Sequence, residues 1–174
     1  IDVLDRKDIV LADVGTGSGA IAISLKKEAP ELKVYASDIS KEALEVAKQN
    51  AKKLDADVKF MAGDMLKPLI ERNIKLDFLV SNPPYIPSEE TMEHSVVDYE
   101  PHVALFGGKD GLKFYQSIID DAPKILNKGA YMAFEIGYNQ KEALSNLFAQ
   151  AFDADIDVIK DINGKDRILM VKLH

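Results

Sequence analysis

The sequence predicts an α/β fold: a mostly parallel seven-stranded sheet with helices on both faces, closed by an antiparallel C-terminal hairpin. Three observations predict it. Short apolar runs alternate with segments of helical spacing through most of the chain, the pattern of a doubly wound parallel sheet. The first apolar run ends in a glycine-rich turn that opens a helix. The last two runs are joined by a short polar loop holding Asn163-Gly164, a hairpin signal.

The elements follow in order. Ile9–Val14 is short and apolar, as a strand buried on both sides must be. Ile21, Ile23 and Leu25 begin a helix that Pro30 closes. Lys33–Ser37 is the second strand. Ser40 offers an N-cap to a helix carrying Ala43, Leu44, Ala47, Ala51 and Leu54 at helical spacing. Val58–Met61 and Leu76–Ser81 are strands three and four. The rhythm then breaks from Ile86 to Gly108, a long irregular segment with Pro87 and Pro101, of the kind that forms functional lids and binding loops. A helix resumes near Gly111 with Leu112, Tyr115, Ile118, Ile119 and Ile125 inward, and Pro123 should kink or end it. Ala130–Ile136 is the fifth strand, Asn139 caps a helix with Glu142 three positions on, and Asp153–Lys160 and Arg167–Leu173 are the hairpin strands.

With 174 residues, 47% of them hydrophobic, the chain fits one domain spanning 1–174 with a substantial core. No apolar run approaches membrane-spanning length, and Ile1–Arg6 shows neither the basic start nor the apolar stretch of a secretory signal, so a cytoplasmic enzyme without membrane contact is expected. There is no Cys, hence no disulfide framework and no thiolate ligand or nucleophile. The balance of 22 basic against 29 acidic residues, a net charge of −7, weighs against a nucleic-acid binder without excluding a local basic patch. The chain starts at Ile1 rather than Met, and a segment upstream of it is expected.

Four motifs carry chemistry. Asp13-Val14-Gly15-Thr16-Gly17-Ser18-Gly19-Ala20 lies between the first strand and its helix, where glycines permit a tight turn and the free N–H groups of the helix start face a ligand. Gly15, Gly17 and Ala20 also satisfy a dinucleotide fingerprint, so this loop alone means a nucleotide cofactor without saying which. Asp38, closing the second strand, can accept from both hydroxyls of a ribose. In Gly63-Asp64-Met65, after the third strand, Asp64 can accept from an adenine amino group and Met65 can pack on the ring. All three stand at the carboxyl ends of neighbouring strands, where open α/β sheets bind ligands.

The fourth motif is Ser81-Asn82-Pro83-Pro84-Tyr85. Its prolines stiffen the strand exit and offer carbonyls without N–H donors. Asn82 adds an acceptor and Tyr85 an aromatic wall. Such a site suits a planar –NH₂ group, whose two N–H bonds meet two acceptors while the ring covers its face.

Asn82-Pro83-Pro84-Tyr85 together with Asp13 to Gly19 resembles the amino-methylating branch of the class I methyltransferases. Tyr99-Glu100-Pro101, Ala104 to Gly108, Asp110-Gly111-Leu112 with Tyr115, and the closing Asp161 to Arg167 are similar to the release factor glutamine methyltransferase (HemK/PrmC) family. That resemblance implies a Rossmann-like class I methyltransferase fold. It also implies S-adenosyl-L-methionine as cofactor, S-adenosyl-L-homocysteine as product, and no metal. It places Asp13, Gly15, Thr16, Gly17, Ser18 and Gly19 at the methionine end, Asp38 at the ribose, Asp64 and Met65 at the adenine, and Asn82, Pro83, Pro84 and Tyr85 at the substrate amide, with Asn82 also beside the cofactor. The acceptor would be the glutamine of a Gly-Gly-Gln loop in a class 1 peptide chain release factor, with no direct nucleic-acid partner. Family members carry a small helical domain ahead of this one.

Two other enzymes fit part of the pattern. A nucleic-acid amino methyltransferase, acting on N6 of adenine or N2 of guanine, would use the same Asn82 motif. An NAD-dependent oxidoreductase would use the glycine loop and leave Asn82 to Tyr85 without a task. Glu135 stands either near the site or as a sheet-edge acid with a local partner, and His94, His102 and His174 read as solvated. From Asn82 to Gly108 there is no Lys or Arg, whereas Glu89, Glu90, Glu93, Asp98 and Glu100 are acidic, a rim that would repel phosphates and attract a cationic protein.

Overall fold

A computed structural model describes residues 8–83 and 112–174. Strands β1 (Val10–Val14), β2 (Lys33–Asp38), β3 (Val58–Ala62), β4 (Leu76–Ser81), β5 (Leu126–Glu135), β6 (Ala154–Lys160) and β7 (Asp166–Leu173) form one sheet in the order β3-β2-β1-β4-β5-β7-β6. The first five pair in parallel, and β7 runs antiparallel to both β5 and β6. The helices are α1 (Ala20–Glu28), α2 (Lys41–Lys53), α3 (Lys67–Ile70), α4 (Lys113–Asp121) and α5 (Lys141–Ala151).

The period of two along each strand sorts side chains into two cores. From β1, Leu11 joins Ala22, Ala29, Leu32, Val34, Ala36, Phe78 and Ala133 on the α1 face. Ala12 and Val14 face the other way, with Leu79, Met132, Phe134 and Val171, beneath Tyr115 and Ile118 of α4 and Leu144 and Phe148 of α5. Phe134 is the centre of that second core, with Tyr115 at 5.7 Å edge-on and Phe148 at 5.0 Å. By the same alternation Asp13 points to the α1 face, and this brings its carboxylate to the start of α1.

Local signals account for most boundaries. The Ser40 hydroxyl accepts from the Ala43 N–H at 3.0 Å and starts α2 as expected, and Leu44, Ala47 and Ala51 are its buried residues. Leu54, expected on that face, caps the helix and is 51% exposed. The helix begun by Ile21, Ile23 and Leu25 is α1, in which Ala22 and Ile23 are buried and Ile21 and Leu25 half-buried. Pro123 ends α4 as anticipated, within a 3-10 turn over Ala122–Lys124.

Two expectations need correction, and one element is unforeseen. The fifth strand starts at Leu126, ahead of Ala130, because Gly129 at φ +74° lets the chain bulge and keep pairing with β4, whose register shifts between Leu76 and Phe78. Asp77, buried at that shift, accepts from the Val10 N–H and from Asn127 Nδ2, each at 3.0 Å. Asn139 does not cap α5: Gln140 holds that position, and its side chain accepts from the Gly137 N–H at 2.9 Å. The one-turn helix α3, with Pro68 in its first turn, is an element that periodicity over four residues cannot reveal. At the hairpin, Gly164 (φ +76°) takes the left-handed position after a turn closed by the Gly164 N–H on the Asp161 carbonyl, and the Asp161 carboxylate accepts from the N–H groups of Asn163 and Lys165. The helix expected near Gly111 begins at Lys113 after Leu112, whereas Gly111 and the irregular segment from Ile86 to Gly108 lie outside the described residues.

Candidate functional site

The parallel register sets the carboxyl ends of the strands level: Val14 stands beside Ser37 and Ser81, Asp38 beside Ala62, and Ser81 beside Phe134. Asp13, Gly15 to Gly19, Asp38, Asp64, Met65, Asn82 and Pro83 are thereby gathered on one edge. β1 connects outward to β2 and β4 outward toward β5, so their exits diverge and open a crevice at the reversal of strand order.

The glycine loop is held from below and from both sides. The N–H groups of Gly15 and Thr16 both donate to the Ser37 carbonyl, at 2.8 and 3.0 Å. Gly19, at φ +82°, packs so closely on α2 that a Cβ there would stand 3.0 Å from Ile23 Cδ1 and 3.1 Å from the Ala47 Cβ. Gly15 and Gly17 are different: a Cβ on either would meet nothing within 4 Å, so their bare backbone faces open space. The Ser18 carbonyl accepts from Asn50 Nδ2 at 3.0 Å, fastening the turn to α2.

Asp13 lies under this loop, 1% exposed. One oxygen, Oδ2, accepts from the Thr16 hydroxyl at 2.6 Å and from the Ala22 N–H at 3.1 Å. The other, Oδ1, is buried and has no hydrogen-bond partner among the described residues. Burial raises the Asp13 pKa to about 6, against the lowering effect of those two bonds, and the negative charge of Asp38 adds to the rise. A buried acid with one free oxygen beneath a glycine loop suits a ligand bearing a cationic or donor group.

Asp38 reaches over the loop. Its Oδ2 accepts from the Gly17 N–H at 2.8 Å and its Oδ1 from the Ser40 N–H at 2.9 Å. Each carboxylate oxygen has a second lone pair, so two acceptor sites remain for the hydroxyls of a ribose. Ile39 follows it, 61% exposed at the same edge, an apolar surface beside the acid. The only sign of Ile39 in the sequence is an apolar residue inside a polar strand-to-helix turn.

At the exit of β3, the partly exposed Asp64 pairs with Lys67 through Oδ2 at 2.6 Å. Met65 adopts φ +48°, an uncommon backbone for a large side chain, and packs partly buried against the core. Its carbonyl accepts from the Ser37 hydroxyl at 3.0 Å. Asn82 is exposed at the end of β4, with Pro83 buried after it, while Pro84 and Tyr85 lie outside the described residues. Glu135 takes local partners: Arg167 lies 3.8 Å from its carboxylate and bridges to Asp161 at 3.6 Å. No group of three or more His, Asp or Glu among the described residues is gathered to hold a metal ion. None of the described helices is long and apolar enough to cross a membrane.

A sequence profile of the methyltransferase small domain matches residues 1–99. The chain belongs to the methyltransferase small domain family. This methyltransferase domain is 51% identical over 168 residues to the release factor glutamine methyltransferase of Staphylococcus aureus, covering 95% of the chain and 60% of that protein. It is 50% identical over 167 residues to the release factor glutamine methyltransferase of Bacillus anthracis, covering 94% of the chain and 59% of that protein. The chain thus spans about three fifths of the curated relatives it matches. Among solved structures, the release factor-specific protein-(glutamine-N5) methyltransferase of Alicyclobacillus acidocaldarius superposes with a TM-score of 0.58 at 28% identity, over 95% of the chain and 80% of that structure. A methyltransferase of Pyrococcus furiosus superposes with a TM-score of 0.72 at 22% identity, over 98% of the chain and 78% of that structure, a likeness of fold alone.

Proposed function

We propose that this domain transfers a methyl group from S-adenosyl-L-methionine to the side-chain amide nitrogen of a glutamine in a protein, the Gly-Gly-Gln loop of a class 1 release factor, in the cytoplasm. The observation that carries the reading is Asn82, exposed at the end of β4 directly across the crevice from the glycine loop, in a chain half identical to release factor glutamine methyltransferases.

The residues present fit the cofactor. The bare backbone at Gly15 and Gly17 admits close approach, Asp13 Oδ1 offers a buried acceptor, and Asp38 retains two acceptor sites for a ribose. Asp64 and Met65 border the adenine end. When bound, the cofactor supplies a methyl group made electrophilic by its sulfonium. An amide nitrogen is a weak nucleophile, because its lone pair is delocalised into the carbonyl. The side-chain oxygen of Asn82 and the carbonyl of Pro83, accepting its two N–H bonds, orient that nitrogen in line and stabilise the positive charge it acquires as the N–C bond forms. Pro84 and Tyr85, which continue the motif in the sequence, lie outside the described residues. A methylated amide nitrogen that still carries its proton is a strong acid, so the proton passes to water and no histidine base is needed.

A protein acceptor is favoured over a nucleic acid by charge. The segment from Asn82 to Gly108 contains no Lys or Arg and five acids, Glu89, Glu90, Glu93, Asp98 and Glu100. The test is incubation with methyl-labelled cofactor and, in parallel, purified release factor, tRNA, ribosomal RNA and DNA, with the modified residue located by mass spectrometry. Label on the Gly-Gly-Gln glutamine is the expected result. Transfer to a nucleic acid at an equal or greater rate overturns the proposal.

A further inference from the structure

Ser81, the first residue of the run that continues to Tyr85, has no part in the roles given to its neighbours. Its surroundings give it one. Val14 and Ser81 are the last paired residues of β1 and β4. Beyond them the chain turns away on both sides: Gly15 and Thr16 donate to Ser37 on β2, and Asn82 leaves β4 exposed. The ladder cannot hold the two exits together past this point. The Ser81 hydroxyl does, donating to the Val14 carbonyl at 2.6 Å with the residue 1% exposed. The bond is short, and burial protects it from competing water.

We propose that Ser81 is a positioning residue, setting through this bond the separation between the methyl donor held by the glycine loop and the nitrogen held at Asn82. The inference rests on the methyl-transfer reading above. Val14 precedes Gly15 and Ser81 precedes Asn82, so one hydroxyl spans the floor of the crevice between the first residue of the cofactor loop and the first acceptor for substrate. A second buried serine supplies the contrast. Ser37 donates to the Met65 carbonyl at 3.0 Å and joins the exits of β2 and β3, both on the cofactor side. Removing the Ser37 hydroxyl should therefore weaken cofactor binding, whereas removing the Ser81 hydroxyl should leave binding intact and slow transfer.

The experiment compares Ser81→Ala, Ser81→Thr and Ser37→Ala in the natural full-length protein with release factor as acceptor. For Ser81→Ala, kcat should fall ~10- to 100-fold, the scale of a displacement below 1 Å between reacting groups. Its Kd for S-adenosyl-L-homocysteine should stay within about threefold of wild type. Ser81→Thr, which keeps the hydroxyl, should recover most of the rate. Backbone amide resonances of both Gly15 and Asn82 should move in Ser81→Ala and return toward their wild-type positions in Ser81→Thr. An unchanged kcat in folded Ser81→Ala, or parallel losses of kcat and affinity tracking the melting temperature, overturns the inference. If the wild-type protein transfers nothing to release factor, the proposed function fails by itself. The amide resonances then decide the coupling, and their immobility in Ser81→Ala refutes it.

Discussion

Replacing Asp13 by asparagine tests whether a ligand-binding acid is kept at a cost to the fold. Asp13 is 1% exposed, its Oδ2 bonds are retained by an amide oxygen, and its Oδ1 has no partner among the described residues to lose. Burial raises its pKa from 3.8 to about 6. Between those values the folded protein binds the proton and the unfolded chain does not, so this group makes stability fall as pH rises from about 4 to about 6. At about 1.36 kcal/mol per pH unit, a shift of that size amounts to ~3 kcal/mol above pH 6. The substituted amide carries no charge at any of these pH values. The stability of Asp13→Asn minus that of wild type should therefore climb by ~3 kcal/mol between pH 4 and pH 7 and then level off. Urea unfolding of both proteins at half-unit steps of pH measures it, and titrating groups not coupled to Asp13 cancel in the difference, Asp38 being the smallest of the influences on it. A difference that stays flat across that range, or that falls with rising pH, refutes the burial argument. The same variant should bind S-adenosyl-L-homocysteine more weakly, whatever the sign of its stability change at neutral pH.

Asn82→Ala should lower methyl transfer by ~10²–10³ while cofactor affinity, by titration calorimetry, changes less than about tenfold; wild-type turnover would reduce the motif to a turn. Asp38→Ala should act in reverse, weakening cofactor binding at least about tenfold, since it removes the acceptor of the Gly17 N–H as well as two ribose acceptor sites. Asp77→Ala leaves the part-buried Val10 N–H and Asn127 amide without their carboxylate and should cost about 1–3 kcal/mol in urea unfolding, with cofactor affinity little altered. Reversing Glu89 and Glu90 to Lys should slow association with release factor, as should added salt, because exposed charges are screened beyond about 8–10 Å; stopped-flow rates insensitive to both would remove charge steering.

Signals confined to a few neighbouring residues were legible in the sequence. Ser40 starts α2 through a contact within its own first turn, Pro123 ends α4 because it cannot donate, and the apolar runs of β1 and β4 follow from burial on both faces. The placement of Asp13, Gly15 to Gly19, Asp38 and Asn82 on one edge was legible too, since parallel strands of similar length align their exits. What depended on distant partners was not. The early start of β5 needs Gly129 to bulge against the β4 register shift, where Asp77 binds Asn127 and Val10. The cap of α5 falls to Gln140 because its side chain folds back on Gly137. The hydroxyls of Ser37 and Ser81 find carbonyls far away in sequence, and no local pattern marks a serine for that use.

The contact between Gly19 and Ala47 ties two positions into a single evolutionary character. A methyl group at 19 would stand 3.1 Å from the methyl at 47, so position 19 cannot grow while position 47 stays as it is. Position 47 is buried on the inner face of α2, yet on the proposed reading a valine there would press on the loop assigned to the cofactor. Drift in this helix is therefore constrained by the geometry of the loop it supports, and substitutions at 47 should be tolerated in order of size, with activity lost before the fold.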